Sequence, residues 1–223
     1  VFTCGGFDLQ VGNPPWVRVH RIAEMSRRRL RQEFTVYRRA AWETGAQNAG
    51  AGRGFGAQID LAALFVERGL GLLRPGGTMA YLLPTKLWRS LAGGGVRELL
   101  LDRSDPLLIE DLTDLHSQFD AAVYPSLLVA RRRHTPRAHG RQWQASHSVD
   151  TQRVTVAVRS GLTSSSWRVA PRRLPFDDTP GSPWLLLPAA VRAAFDSVSR
   201  ASTPFSVSVF GRPLLGVKTG CND

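Results

Sequence analysis

A short apolar run that ends in a rigid turn is the feature that most constrains the fold of this chain. The run Phe7–Gly12 reads as a strand, and it is followed at once by the sequence Asn-Pro-Pro-Trp at Asn13–Trp16. Two consecutive prolines fix the backbone, remove two N–H donors and restrict the residue before each of them, so the strand must stop here. The turn presents carbonyl acceptors and the Asn13 amide beside the flat ring of Trp16. Such a surface suits a planar ring with an exocyclic amine, as in a nucleobase rotated out of its stack.

Strand-like and helix-like runs alternate along the first half of the chain. The segment Ile59–Leu73 has apolar residues at spacings of three and four, which predicts a helix, and Arg74–Gly77 provides the Pro and Gly that end it. Strands joined by helices indicate crossover connections, so we predict the α/β class with a largely parallel sheet covered on both faces. The predicted strands are Leu9–Gly12, Thr78–Pro84, Leu107–Leu112 and Ser126–Ala130.

Weaker patterns predict three further elements. A helix over Leu87–Leu101 contains Gly93–Gly95, which should weaken or break its middle. The alternation in Val154–Val158 predicts a strand, and Pro188–Val198 reads as a short helix.

The segment Arg18–Gln58 departs from this rhythm. It opens with a basic stretch that is compatible with a helix and continues into Gly45–Gly56, which is small, glycine-rich and without a core-forming pattern. The glycines lack the lysine and Ser/Thr of a phosphate loop. We interpret this part as a flexible surface insertion, and the alternative is a segment that becomes ordered against DNA.

The charge of the chain favours a polyanionic partner. Its 29 basic residues exceed its 18 acidic residues, which gives a formal net charge of +11. Only Lys86 and Lys218 are lysines, so 29 − 2 = 27 of the basic residues are arginines. Arginine binds phosphate through two parallel hydrogen bonds and stacks on bases, which suits nucleic acid better than a membrane surface. GC-rich coding of the gene explains part of the arginine excess as readily as selection for contact with DNA does.

Several classes of site are disfavoured by the composition. Cys4 and Cys221 form no disulfide framework, and the five histidines are scattered, so we expect no metal site. No apolar run is long enough to span a membrane, and we expect a soluble, cytoplasmic protein without a membrane partner.

At its opening motif the sequence resembles a known family. The run Phe7–Trp16 looks like the catalytic motif of S-adenosylmethionine-dependent amino methyltransferases, especially adenine-N6 DNA methyltransferases. Protein-glutamine methyltransferases and some RNA base methyltransferases share the tetrapeptide. Asp60–Pro84 is similar to the next helix and strand of the type IIG restriction-modification and BREX-like adenine methylases. Phe119–Val129 resembles their last catalytic-domain motif, and Leu215–Asp223 resembles the start of their target-recognition region.

The resemblance implies a fold, a cofactor and a partner. The fold would be the C-terminal half of a Rossmann-like class I methyltransferase sheet, followed by the start of a mixed target-recognition domain. Residues 1–134 would be the catalytic domain, and residues 135–223 a linker and the beginning of the recognition domain. The cofactor would be S-adenosyl-L-methionine, and the partner double-stranded DNA with a flipped adenine.

It also implies roles for individual residues. The Asn13 side-chain oxygen and the Pro14 carbonyl would accept the two hydrogens of adenine N6, with Pro15 stiffening the turn. Trp16 would stack on the base, and Phe119 would cover its other face, with Tyr124 as the neighbouring alternative. Each of two residues also has an alternative role that is purely structural. Asn13 would then be a turn residue that ends a strand, and Phe119 an aromatic residue of the core.

Charged residues are further candidates for contact with the cofactor and with DNA. Asp60 falls where the family has an acidic residue near the cofactor, although it is equally placed to stabilise the start of a helix. The lysines are candidates for phosphate contact, but a lone lysine is usually solvated. The predicted DNA-binding residues are Arg18, Arg131, Arg132, Arg133 and Lys218.

The family's glycine-rich cofactor loop and its ribose-binding acidic residue precede the catalytic turn, and here only six residues precede the first strand. We therefore expect a fragment cut at both ends and inactive alone, whose N-terminal half lies on the same or another chain. The first strand should then have an open, apolar edge. The function predicted by resemblance is site-specific methylation of adenine N6 in restriction-modification or phage defence. The alternatives are a protein-glutamine or RNA amine methyltransferase, and a non-catalytic nucleic-acid-binding remnant.

Overall fold

The computed structural model describes residues 5–48, 58–112, 124–135, 152–160, 163–203 and 209. Six strands form one sheet in the order β1-β2-β4-β3-β5-β6. β1, β2, β3 and β5 run in one direction, whereas β4 and β6 run in the other. The prediction of a largely parallel sheet is therefore confirmed, with β4 inserted antiparallel between β2 and β3. The strands are β1 Phe7–Gly12, β2 Leu73–Pro84, β3 Ser104–Asp111, β4 Pro125–Arg132, β5 Val154–Ser160 and β6 Thr163–Val169.

Helices lie between β1 and β2 and between β2 and β3, which confirms the predicted α/β class. Short 3₁₀ turns occur at Val19–Arg21, Leu91–Gly93 and Pro171–Arg173. None of the helices in the described part of the chain is long and apolar enough to cross a membrane. The helices are α1 Glu24–Glu33, α2 Thr35–Arg38, α3 Glu43–Asn48, α4 Leu61–Leu72, α5 Lys86–Arg89, α6 Gly94–Arg103 and α7 Ala189–Ala201.

The predicted break at Gly93–Gly95 is confirmed, because α5 and α6 are separate helices joined by a 3₁₀ turn. Close packing explains why glycine is needed there. A Cβ atom on Gly93 would lie 2.1 Å from the carbonyl oxygen of Leu87, and one on Gly94 would lie 2.6 Å from the backbone nitrogen of Trp42. No side chain fits at such distances.

The interpretation of Gly45–Gly56 as a flexible surface insertion is wrong for its first four residues. Gly45–Asn48 belong to α3, and Gly45 and Ala46 are buried. The glycine lies against the indole of Trp42, where a Cβ atom would clash. Small residues here allow close packing. Residues 49–57 lie outside the described part of the chain.

The sheet continues past the predicted boundary near residue 134. β5 pairs in parallel with β3, and β6 pairs with β5. Leu174, Trp184 and Leu186 belong to the same buried core as the residues of β2. A recognition domain that begins after residue 134 stays a prediction, and in this fold β5 and β6 would share the catalytic sheet.

β1 is an outer strand with an exposed apolar face. Among the described residues it pairs with β2 alone. Leu9 is 59% and Val11 75% exposed, while Gln10 on the other face donates to the carbonyl of Gly69. The predicted exposed apolar surface of this strand is thus confirmed. The unpaired edge and the interpretation of the chain as a fragment stay predictions.

Candidate active site

The turn Asn13–Trp16 lies where the parallel strands end. Gly12 pairs with Tyr81, so the turn continues beyond the last paired residue of β1. β1, β2 and β3 end at the same edge of the sheet, and the antiparallel β4 begins there. We call this edge the C-terminal edge. It is the place where open α/β sheets bind their ligands.

The four residues of the turn differ in exposure. Asn13 and Pro15 are exposed, Pro14 is buried and Trp16 is half-buried. The Trp16 indole N–H donates to the carbonyl of Leu82 over 3.4 Å and the ring packs against the core. The Asn13 side chain makes no hydrogen bond to another described residue, so its amide is available to a ligand.

A hydrogen-bonded chain supports the strand just before the turn. The Tyr81 hydroxyl donates to Gln10 Oε1 over 2.8 Å, and Gln10 Nε2 donates to the carbonyl of Gly69 over 3.1 Å. Burial raises the pKa of Tyr81, so this phenol stays a neutral donor. This series of hydrogen bonds fixes the end of β1 to β2 and α4, and therefore fixes the position at which the turn begins.

A cleft opens directly after the turn. The carbonyl of Val17 accepts the N–H of Leu61, and the N–H of Val19 donates to the carbonyl of Ile59, each over 2.9 Å. These bonds hold Arg18 against the start of α4, beside a cleft of about 240 Å³. The polar residues that line it are Arg18, Gln58, Asp60, Lys86 and Ser90.

Asp60 is buried in the wall of this cleft and both of its carboxylate oxygens are engaged. Oδ1 accepts the N–H of Ala62 over 3.1 Å and caps α4. Oδ2 lies 2.7 Å from the Lys86 ammonium. The helix-start interpretation is therefore confirmed. Contact of Asp60 with a cofactor stays a prediction.

An exposed aromatic residue stands at the start of β4. Tyr124 is 56% exposed, and its carbonyl accepts the N–H of Thr85 over 2.8 Å and the Thr85 hydroxyl over 2.9 Å. These bonds fix Tyr124 at the C-terminal edge. Phe119, the first choice for this position from the sequence, lies outside the described residues.

The predicted arginine cluster at the end of β4 lies away from the turn. Because β4 is antiparallel, it carries Arg131 to the opposite edge, where it pairs with Thr78. Arg132 donates to the carbonyl oxygens of Leu73 and Gly71. Arg133 donates to the carbonyl of Ser104 over 2.9 Å. The structure does not bring these arginines to the catalytic turn, and their contact with DNA stays a prediction. Lys218 lies outside the described residues.

Sequence reasoning missed Arg97, whose side chain supports the cleft from behind. Arg97 is fully buried. Its Nη1 donates to the carbonyls of Leu87 and Ser90 over 2.6 and 2.9 Å, and its Nη2 donates to Gly181 over 2.7 Å. Burial lowers its pKa to about 9. The available signal was a charged residue between Val96 and Leu99–Leu100, on the apolar part of a helix.

Comparison with known proteins gives consistent matches. The family model of the Eco57I restriction-modification methylases matches residues 1–119. The chain is 28% identical over 165 residues to the type II methyltransferase M.PaeR7I of Pseudomonas aeruginosa, covering 72% of this chain and 24% of that protein. It is 29% identical over 128 residues to M.XhoI of Xanthomonas vasicola, covering 56% and 20%. The chain therefore spans a quarter or less of the curated relatives that it matches.

Solved structures are also similar. A class I S-adenosylmethionine-dependent methyltransferase from Listeria monocytogenes matches with a TM-score of 0.45 and 15% identity, over 73% of this chain and 40% of that one. The type ISP restriction-modification enzyme LlaBIII matches with a TM-score of 0.44 and 12% identity, over 67% and 10%. The family match extends over more than half of the chain and includes the turn Asn13–Trp16 and the cleft. It confirms the family resemblance seen in the motifs, and the chain belongs to the Eco57I restriction-modification methylase family.

Proposed function

We propose that this chain carries the catalytic turn of a DNA methyltransferase that transfers a methyl group to adenine N6 at specific sites in double-stranded DNA. The biological setting would be restriction-modification or phage defence. The observation that carries the proposal is the exposed Asn13 side chain, whose amide forms no hydrogen bond to the part of the chain that the structure describes. It stands on a rigid Pro-Pro turn beside Trp16 at the C-terminal edge. Membership of a restriction-modification methylase family supports the reaction class.

The chemistry follows from the acceptors that the turn presents. The lone pair of adenine N6 is delocalised into the ring, which makes the nitrogen a poor nucleophile. Asn13 Oδ1 and the Pro14 carbonyl would accept the two N6 hydrogens and draw the nitrogen toward tetrahedral geometry, which frees the lone pair for attack. This catalysis depends on orientation and on hydrogen bonds that strengthen in the transition state, and it needs no titrating base.

Aromatic surfaces would hold the flipped base in place. Trp16 is anchored on the carbonyl of Leu82, which restrains its indole for stacking on one face of adenine. Tyr124 is exposed at the same edge of the sheet and fixed by Thr85, which favours it as a partner for the other face. Stacking of this kind contributes about 1–3 kcal/mol per base in nucleic-acid sites.

The methyl donor would be S-adenosyl-L-methionine, which supplies an electrophilic methyl group when bound. Asp60 was the one residue expected to contact it, and its carboxylate is engaged by Ala62 and Lys86. We therefore assign the donor to no described residue of this chain. The part of the reaction that we assign here is capture and orientation of the adenine.

DNA is the partner that the charge of the chain favours. The net charge is +11, and Arg18 is exposed two residues after Trp16. Cationic side chains near the turn would bind the phosphates that flank the captured base.

A methyl-transfer assay with nucleoside analysis tests the proposal. The native protein is incubated with S-adenosylmethionine carrying a deuterated methyl group, together with unmodified plasmid DNA, total RNA and a protein extract. The nucleosides and amino acids are then analysed by mass spectrometry. We expect deuterated N6-methyladenine from the DNA. Label only in RNA bases or in glutamine would overturn the proposal in favour of the other amino methyltransferases, and no label at all would favour a binding remnant.

A further inference from the structure

We propose that Arg18, Lys86 and Ser90 form a binding site for a backbone phosphate of the target strand, beside the nucleotide whose base the turn captures. Asp60 is the positioning residue that holds Lys86 in this site. The inference rests on the proposed function, because it takes DNA as the ligand of the C-terminal edge.

The position of the cleft relates it to the target strand. Lys86 follows β2 and Asn13 follows β1, and because these neighbouring strands are parallel, both residues lie at the C-terminal edge. Arg18 is separated from the Trp16 ring by a single residue, and the bond from Leu61 to Val17 holds that residue in place. A phosphate in the cleft would therefore lie within a nucleotide or two of the base at the turn.

The size of the cleft suits a single small group. Its volume is about 240 Å³, below the range of roughly 300–1,000 Å³ for pockets that enclose a whole drug-sized ligand. A phosphodiester with part of its sugar fits such a volume. Leu87 and Ile59 form apolar walls, and the charged groups stand among them.

Lys86 can bind a ligand without leaving Asp60. The ammonium lies 2.7 Å from Asp60 Oδ2, and the Lys86 side chain is 40% exposed whereas that of Asp60 is inaccessible to solvent. An ammonium has three N–H donors, and one suffices for the carboxylate. The remaining donors can reach an anion in the cleft.

The surroundings of Asp60 identify it as a positioning residue. No neutral donor among the described residues forms a hydrogen bond to Oδ2, so the Lys86 ammonium is its only compensation there. A buried carboxylate without its cation is strongly destabilising, which ties the ammonium to this spot. The flexible lysine stem is thereby held at the rim of the cleft.

Arg18 makes the net charge of the site positive. Lys86 and Asp60 compensate each other, and Arg18 is exposed with no ion pair to any carboxylate of the described residues. A guanidinium binds a phosphate through two parallel hydrogen bonds. The Ser90 hydroxyl is a third donor on the same cleft. Two cations and a hydroxyl are the groups that recognise a phosphodiester.

Neutral phosphate analogues test this site directly. The methylated position is first found by sequencing DNA that the native protein has modified. Duplexes are then prepared with a single methylphosphonate, which removes the charge of one phosphate, at each position around that adenine. For the unaltered protein we expect one position next to the target adenine to weaken binding by about tenfold, as for the loss of one charge-assisted contact.

Coupling between the analogue and the variants identifies the residues. In Lys86→Met and in Arg18→Met, the same methylphosphonate should have a smaller effect than in the unaltered protein, because one of the two cations has been lost. In the double variant it should weaken binding by less than about twofold, because neither cation remains. Asp60→Asn keeps the acceptor that caps α4 but loses the charge that holds Lys86, so it should show an intermediate effect. Arg168→Met removes one exposed charge from β6 at the far edge of the sheet and should retain the full effect.

The outcomes separate this inference from the proposed function. If adenine is methylated and Lys86→Met retains the full methylphosphonate effect, the phosphate site is wrong and the proposed function stands. If Asp60→Asn behaves like the unaltered protein in the same assay, its positioning role is wrong. If the protein methylates no adenine, the proposed function fails and the phosphate site fails with it.

Discussion

Trp184 stacks on Trp88, with ring centroids 5.2 Å apart and ring planes 5° from parallel. The backbone N–H of Trp184 also donates to the backbone carbonyl of Trp88 over 2.8 Å, and the Trp88 indole donates to the hydroxyl of Ser126 over 2.8 Å. Both tryptophans are buried. The segment around residue 184 is therefore joined to the helix that begins at Lys86, on the wall of the cleft.

Replacing Trp184 should destabilise the C-terminal edge of the sheet as well as the segment that contains Trp184. Trp184→Ala removes a buried aromatic side chain and should lower the free energy of unfolding by about 3–5 kcal/mol. Chemical denaturation followed by circular dichroism measures the change. Val191→Ala, at a half-exposed position of α7, is the control and should have little effect. An equal, small loss in both variants would contradict this packing.

Arg97 should be irreplaceable even by lysine. Its guanidinium donates to carbonyl oxygens of two separate segments, Leu87–Ser90 and Gly181–Ser182. Since burial lowers its pKa only to about 9, the group is charged at neutral pH. Lysine has one nitrogen and cannot reach all of these acceptors, so Arg97→Lys should cost about 3 kcal/mol or more. Arg168→Lys on exposed β6 should cost almost nothing in the same denaturation experiment.

The sequence allowed prediction of the elements with strong local signals. Prolines and glycines predicted correctly where two elements end. The Pro-Pro turn follows β1, and the helix over Leu87–Leu101 is broken before α6, as Gly93–Gly95 indicate. The helix over Ile59–Leu73 corresponds to α4, although its start depends on the Asp60 cap. These features are encoded by neighbouring residues, and the family resemblance identified the turn.

Long-range contacts were beyond local patterns. The ion pair of Lys86 with Asp60 joins residues that are 26 positions apart in the sequence. The stacking of Trp88 on Trp184 joins residues that are still farther apart. Nothing in the spacing of apolar residues indicates such partners. The direction of β4 also decides which edge receives Arg131–Arg133, and strand direction follows from the topology of the whole sheet.

The acid stability of the C-terminal helix should depend on Asp196. Its carboxylate accepts from Arg192 over 2.7 Å and from Arg173 over 2.5 Å. The hydrogen bond from Arg192, followed by that from Arg173, holds the pKa of Asp196 below its usual value. A lowered folded-state pKa stabilises the fold above the unfolded-state pKa, and this contribution disappears as the pH falls through the folded-state pKa.

Thermal unfolding of the Asp196→Asn variant against pH measures this contribution. The unaltered protein should be more stable than the variant at pH 7, and the difference should vanish in acid, below the lowered pKa. A difference that is constant with pH would show that the carboxylate charge is not responsible.

The Trp16 indole should stack on the captured base and hold it in the site. Trp16→Ala should weaken capture of the flipped nucleotide, visible as reduced fluorescence of a 2-aminopurine placed at the target position. Trp16→Phe keeps an aromatic face but loses the hydrogen bond to Leu82, and it should retain much of the signal. If the Trp16→Ala variant and the unaltered protein give the same 2-aminopurine fluorescence, the indole does not contact the base.

Replacement of Asn13 separates a catalytic role of the turn from a purely structural one. Asn13→Ala in the native protein removes one acceptor for the N6 hydrogens, while the prolines hold the turn. Asn48→Ala makes the same change at an exposed position of α3. Single-turnover methyl transfer to DNA should fall by roughly a hundredfold or more for Asn13→Ala, as for other hydrogen bonds made in a transition state. DNA affinity should change much less, and Asn48→Ala should react normally. Methylation of adenine by Asn13→Ala at a near-normal rate would contradict the account and leave the turn as a stiff end to a strand.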